Sequence, residues 1–471
     1  MLVRGNKLEP GTLFGRHSEG LLLKQRPKGV RHLGLEAAGH PLAFVGLFVF
    51  TLLLYVRPND LFPDFFGDLA ILKFIAIGTL IVYIIGKVGA GELITIWPIE
   101  MRALALIVVI GIVITPVAAS PKHSIDMLSD TFFKVVVIFV LMINLVDTRQ
   151  RLLRILKLVV VCGSGIAIGS IWKFAEGKFT ATIQGVGVRI EGAVGGIFGN
   201  PNDLAMALDM LLPISIILML NSKSVGKLLF LVCTLVLTMG VIVSFSRGGF
   251  LGLAASGGVL LWKLGRHNKF TTALAALGAC AILVMAMPAG YSDRLFTIVQ
   301  TEKDTTGSAK ERQDELKRVT FLAVHHPIIG IGLNNYPVYS NHAIRAHNSF
   351  LEVAAELGVL GLIAYLILVF APLKRLKRIE RETSLKGDAQ SRELHLLCAG
   401  VSAAIIGYVV CAVFSSAQYQ WYLYYPVAYA VALKRIHDAE RALNPEKFAP
   451  EKPKQKIKLG RVWTRRVGAE A

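Results

Sequence analysis

Acidic residues are scarce in this chain: 32 Asp and Glu stand against 51 Lys and Arg, a formal charge of +19. Cysteine is scarcer still, with five in 471 residues. Cys162, Cys233, Cys280, Cys398 and Cys411 all fall in apolar runs and none in a polar loop, so no disulfide framework is expected. Neither a CxxC nor an HExxH spacing occurs, so no metal site and no cofactor are expected. The first 40 residues are basic and polar with no apolar centre, unlike a cleavable signal peptide. Alternating apolar and polar stretches of barrel-strand length are missing, which excludes a membrane β-barrel. There is no internal repeat and no matched pair of interrupted apolar helices, features that secondary transporters often carry.

What the chain has is apolar length. It is 54% hydrophobic, with a mean hydropathy of +0.57, and continuous apolar runs recur along most of it. A bilayer core takes about 20 apolar residues per helix, and only helices or closed barrels satisfy their backbone there. Twelve spans are predicted, at about 41–56, 69–86, 103–119, 131–146, 158–172, 204–220, 228–245, 249–263, 270–288, 350–371, 394–414 and 420–433. The fold class is therefore all-α, a polytopic membrane protein with about 12 transmembrane helices.

Charge sets the orientation. With the N-terminus in the cytoplasm, about 36 of the 51 basic residues lie on the inner side, a positive-inside bias. The predicted organisation is a basic cytoplasmic segment over 1–40, a membrane domain over 41–433, and a basic cytoplasmic tail over 434–471. Periplasmic loops fall at 173–203 and 289–349. The tail, with "EKPKQKIKLGRVWTRR" from Glu451, suits anionic membrane lipid, and no nucleic-acid partner is expected.

The two long outer loops and the turns beside them hold the chemistry. "TTGSAKERQDELKRVTFLAVHHP" reads as a loop helix, with Ser308 and Glu311 as a capping box and Pro327 as its end. Arg312, Leu316, Val319 and Ala323 recur on one predicted apolar stripe, where an arginine asks for an anionic partner or lies at the membrane surface. "AHNSFLEVAAELG" places His347 and Asn348 before a helix for which Ser349 and Glu352 are a predicted capping box. The positive end of a helix dipole favours anions and keeps an imidazole neutral, able to accept a proton. "SFSRGGFLG" holds Arg247 in a tight outer turn. "GGIFGNPNDLAM" starts a span with Asn200 as N-cap and Pro201 first, and Asn202 in its first turn. "YVRPNDLFP" puts Arg57 at the outer end of the first span. Arg57, Arg189, Arg247, Arg312 and Arg345 thus gather outside, against the positive-inside trend, near one histidine. That suits a phosphate-bearing, membrane-bound substrate, whose oxygens match the guanidinium fork.

Taken in order, "GGIFGNPNDLA", "SFSRGGFLG", the "ER" of the loop helix, "HHPIIGIGLNNY" and "AHNSFLEVAAELGVLGL" resemble the O-antigen ligase and polymerase superfamily, over about 195–371. "YVRPNDLFP" is also similar to relatives found beside exopolysaccharide export genes. The resemblance implies a GT-C-like, metal-independent, inverting glycosyltransferase of the bacterial inner membrane, both termini cytoplasmic and the active site facing the periplasm. It implies an undecaprenyl-diphosphate-linked glycan donor and an acceptor hydroxyl on a glycan, lipid A core or protein. It matches Arg247, Arg312 and His347 to the family's key residues, with Asn348, Arg345, Arg57, Arg189, Asn200 and Asn202 as substrate-binding candidates. No large soluble domain follows the last span, and the resemblance leaves the N-terminal segment unexplained. A polymerase would use the same donor. A lipid-linked sugar transporter would need charges inside the spans, where only Lys73, Lys134 and Asp209 stand out, and a scaffold subunit would not need the three key residues together.

Overall fold

The computed structural model describes residues 39–66, 71–178, 190–192, 194–195, 198–265, 270, 273–274, 277–278, 308–340, 344–383 and 387–444. Outside them lie most of both basic termini, most of the ninth predicted span (270–288) with Cys280, and Arg189. The described residues form helices and no strands.

In chain order these are α1 (Pro41–Val56), α2 (Ile71–Gly89), α3 (Ile99–Ile114), α4 (Pro121–Leu145), α5 (Arg149–Ala175), α6 (Pro201–Asn221), α7 (Ser224–Val243), α8 (Arg247–Gly265), α9 (Ser308–His325), α10 (Ser349–Glu382), α11 (Ala389–Ala412) and α12 (Trp421–Leu443). Ten of them, all but α9 and α12, are long and apolar enough to cross a membrane. The chain is an all-α, multi-pass membrane protein.

Several boundaries differ from the sequence expectation for physical reasons. Thr148 caps α5 by accepting from the Arg151 amide, so this helix begins well before residue 158. Its first turns are basic and cross-linked: Arg149 pairs with Glu393 at 2.6 Å and Glu440 at 2.5 Å, joining α5 to α11 and α12. Arg151 meets Asp147 at 3.1 Å and donates to the Gly39 carbonyl at 2.8 Å. On the same side Arg375 of α10 reaches the buried Glu100 of α3 at 2.8 Å, and Lys263 of α8 pairs with Glu380 of α10. These charges therefore tie helix ends together.

The last predicted span, α12, is interior rather than lipid-facing. Trp421, Tyr422, Tyr424, Tyr425 and Tyr429 are all buried. Two of the hydroxyls have named partners: Tyr425 meets Thr51 at 3.1 Å and Tyr424 donates to the Gln418 carbonyl at 2.9 Å. A buried tyrosine needs such a partner, and α12 supplies aromatic volume where α4, α10 and α11 pack beside it. Close helix approach elsewhere uses small residues: a Cβ on Gly252 of α8 would stand 2.3 Å from the Cys411 sulfur of α11.

Helix α10 is broken at Gly358, which takes φ 68° and ψ −171°. The freed backbone groups are met by the segment before it. Ile331 and Gly332 donate to the carbonyls of Ala355 and Glu356 at 2.9 and 3.1 Å, and Val359 donates to Pro327 at 2.8 Å. Backbone lies against backbone here: a Cβ on Gly358 would sit 2.6 Å from the Ile328 oxygen.

Candidate functional site

Three stretches far apart in sequence meet at one end of the helical core. They are the start of α6, the segment before α10, and the loop between α11 and α12. Between them lies a cavity of about 260 Å³ lined by Asn200, Asn202, Asp203, Arg345, His347, Ser415, Ser416 and Gln420.

Each wall is built locally and then stitched to the next. Asn200 caps α6 by accepting from the Asn202 amide at 2.8 Å, and Pro201 follows at the first helical position, which places the half-buried Asn202 and Asp203 in the first turn. The Asn202 carbonyl oxygen accepts from Ser246 at 2.8 Å, and the Ser246 oxygen accepts from the Gly249 amide at 3.1 Å. The α7–α8 turn carrying Arg247 is thereby fixed to this wall. Asp203 accepts from Ser415 at 3.2 Å.

His347 has a left-handed backbone, φ 53°, a conformation that costs a non-glycine residue about 1–2 kcal/mol. Its amide donates to the Ser416 hydroxyl at 3.0 Å. Ser416 in turn donates to the fully buried Glu352, whose other oxygen takes Arg345 at 3.4 Å. Ser349 donates to the Ser415 carbonyl at 2.7 Å and accepts from the Ala417 amide at 2.9 Å. One turn deeper on α10, buried Glu356 accepts from the Tyr336 amide at 3.1 Å and from the Tyr419 hydroxyl at 2.9 Å. The hydroxyl of Tyr336 reaches buried Glu315 of α9. Burial, reinforced by the Glu315 carboxylate, holds the Tyr336 phenol well above its usual range, so it stays a proton donor.

Two sequence expectations need correction. The cap of α10 is Asn348, whose side chain accepts from the Phe350 and Leu351 amides at 3.1 and 3.0 Å. Ser349 and Glu352 are used for tertiary bonds instead of a capping box. The buried stripe of α9 runs through Glu315, Val319 and Leu322, while Leu316 is exposed. Arg312 lies half-buried on the face that includes Glu315 and Val319.

Of the residues singled out by sequence, Asn200, Asn202, Arg345 and His347 line the cavity. Arg247, Arg312, Asn348 and Arg57 do not. Arg57 pairs with Asp60 at 2.6 Å, and Asp60 accepts from the Gly195 amide at 2.7 Å, pinning the loop that leads into α6. Arg189 is outside the described residues. Asp203, Ser415, Ser416 and Gln420 were not expected. "NPND" held a signal for Asp203, whereas "SSAQYQ" between two apolar runs offered only its polarity. Among the described residues no group of His, Cys, Asp or Glu is placed to hold a metal ion.

No curated protein matches the chain. Residues 229–366 match the family model described as O-Antigen ligase. That stretch runs from α7 into α10 and includes Arg247, Arg312, Arg345 and His347, while Asn200–Asp203 and the α11–α12 loop lie on either side of it. Over residues 229–366 the chain is thus similar to the O-antigen ligase family.

Proposed function

We propose that this protein transfers a glycan from an undecaprenyl-diphosphate carrier to an acceptor hydroxyl at the periplasmic surface of the bacterial inner membrane. The observation behind this reading is the meeting of His347 and Arg345 with Asn200, Asn202 and Asp203 in one polar cavity, in a chain similar over residues 229–366 to the O-antigen ligase family.

In this reading His347 accepts the proton of the acceptor hydroxyl as its oxygen attacks C1 of the donor sugar. The bond from C1 to the diphosphate oxygen breaks, and undecaprenyl diphosphate leaves with the electron pair and inversion at C1. Negative charge grows on that diphosphate. Arg247 and Arg312 stabilise it, with Arg345 beside the cavity, and preorganised cations count most in a site shielded from water. Asn200 and Asn202 bind sugar hydroxyls. Asn348 contributes through the helix it caps, and Arg57 and Arg189 remain further candidates for binding the substrate.

Purified protein, given a lipid-diphosphate oligosaccharide and a panel of acceptors in the presence of EDTA, tests this. Release of the carrier with glycan on lipid A core identifies a ligase; glycan on a second carrier-linked chain identifies a polymerase. His347→Ala is expected to lower the rate about 10²–10⁴-fold, the usual worth of a placed general base. Undiminished transfer by that variant removes His347 from the base role. Movement of the lipid-linked glycan between leaflets without carrier release overturns the enzyme reading in favour of a transporter.

A further inference from the structure

Helix α9 carries a second apolar face. Val319 and Leu322 pack inward, with Glu315. On the opposite side Phe321 is 58% exposed, Val324 67%, Ile328 78% and Ile329 55%. Phe321 and Val324 share one face of the helix, and Ile328 and Ile329 follow in the turn just beyond its end at His325, so the exposed apolar side chains are grouped rather than scattered. The first turns of α9 on the same side are polar: Lys310, Glu311, Gln313, Asp314 and Lys317 are exposed. The helix is therefore divided along its length, with a polar start and an apolar end.

The depth of that apolar end is fixed by its bonds. Pro327 accepts from the amide of Val359, the first residue of α10 after its break. The outward residues of α10 at this level are Val359, Leu360 and Ile363, and all three are exposed and apolar. The charged run of α10 begins at Lys374. A span of about 20 residues ending there begins near residue 354. Val359 then lies about 7 Å further in, at 1.5 Å per residue. This matches the depth of about 5–10 Å at which apolar faces of interfacial helices bury.

A second set of contacts gives the same depth. The Leu333 side chain reaches α3, where a Cβ on Gly111 would stand 2.9 Å from it, inside the apolar run of that helix. Asn335 and Leu333 are held beneath the outer end of α4: the Ser120 amide donates to Asn335 at 2.7 Å, and Ser124 donates to the Leu333 carbonyl at 2.9 Å. The segment 327–335 is thus wedged between α3, α4 and α10 below their outer ends.

We propose that Phe321–Ile329 is a membrane-dipping wedge whose exposed side chains sit among the acyl chains of the leaflet on the cavity's side. The occupant of this face is lipid, because its apolar side chains adjoin the lipid-facing band of α10 at Val359–Ile363; the exposed His325, stacked on Phe321, and His326 are the polar points within it. The inference does not depend on the transfer reaction. It makes α9 an interfacial helix, with Arg312 on the polar half that remains at headgroup level.

The test uses the full-length wild-type protein in lipid nanodiscs. A bilayer-partitioning diazirine labels lipid-facing side chains, hydroxyl radicals label water-facing ones, and both are mapped by mass spectrometry. Phe321, Val324, Ile328 and Ile329 are expected to take several-fold more carbene label than Asp314 and Lys317, and to be protected from radical oxidation. Rapid oxidation of Phe321 with no carbene label places the face in water and overturns the proposal. Protection from both probes means that protein covers the face, either another part of this chain or a second copy, and overturns it equally.

Discussion

At the residue scale, the cavity pairs a base candidate with a carboxylate. Asp203 uses one oxygen for Ser415, and the Arg345 cation acts on its carboxylate. A carboxylate so placed can orient an acceptor hydroxyl toward His347. Asp203→Asn keeps shape and hydrogen bonding but not charge, and misorientation alone costs about 10²-fold. We expect a drop of that order in kcat, with donor KM little changed, in the transfer assay; unchanged kcat removes Asp203 from the reaction. The left-handed backbone of His347 also dictates the better test of the imidazole. Alanine retains the strain that φ 53° imposes, whereas glycine adopts this conformation freely. His347→Gly is therefore expected to fold at least as stably as His347→Ala, and to regain activity when free imidazole is supplied; rescue that never appears at any imidazole concentration counts against general-base catalysis. Sequence made some of these residues legible. Asn200 and Pro201 carry strong local cap signals, and they cap. Ser349 and Glu352 mimic a capping box, yet tertiary bonds to the α11–α12 loop win. Nothing local marks Ser415, Ser416 or Gln420, because their role comes only from what they meet.

At the element scale, α10 matters most, since one helix carries the cap beside His347, the buried Glu352 and Glu356, and the break at Gly358. Gly358→Ala introduces a methyl 2.6 Å from the Ile328 oxygen at φ 68°. It should cost about 1–3 kcal/mol and lower the melting temperature in detergent, while also loosening the contact between 327–332 and α10. Tyr336 gives a pH-dependent counterpart. Burial holds its folded-state pKa above the ordinary tyrosine range near 10, so the unfolded chain loses this proton first as pH rises. Its contribution to stability is then full below about pH 10 and is lost above it. Melting temperature should fall above pH 10, and fall less steeply in Tyr336→Phe; identical slopes would show that Tyr336 is not linked. The break itself is not readable from "AELGVLGL", because an isolated glycine in an apolar helix usually passes unnoticed. The partner that fills it lies some thirty residues upstream in the chain (about 327–332), and only the fold brings it there.

At the scale of the whole molecule, hydropathy and basic residues made the helical membrane class plain from sequence, because lipid leaves so few backbone solutions. The interior position of α12 was hidden, since tyrosine-rich helices read alike whether they face lipid or protein. The charge bias yields a topological expectation: a phosphatase reporter fused after Leu443 should lie in the cytoplasm and be inactive, and one inserted between α8 and α9 should be active. Periplasmic activity of the C-terminal fusion would reverse the orientation assigned here. The cavity also has a consequence for biogenesis. Its walls come from Asn200–Asp203, Arg345–His347 and Ser415–Gln420, so they leave the ribosome at widely separated times. A nascent chain that has inserted α6 and α8 has no pocket, and the segment at 327–335 has no α10 to hold it. The site closes only when α12 is in place, which makes its appearance a late checkpoint of membrane insertion.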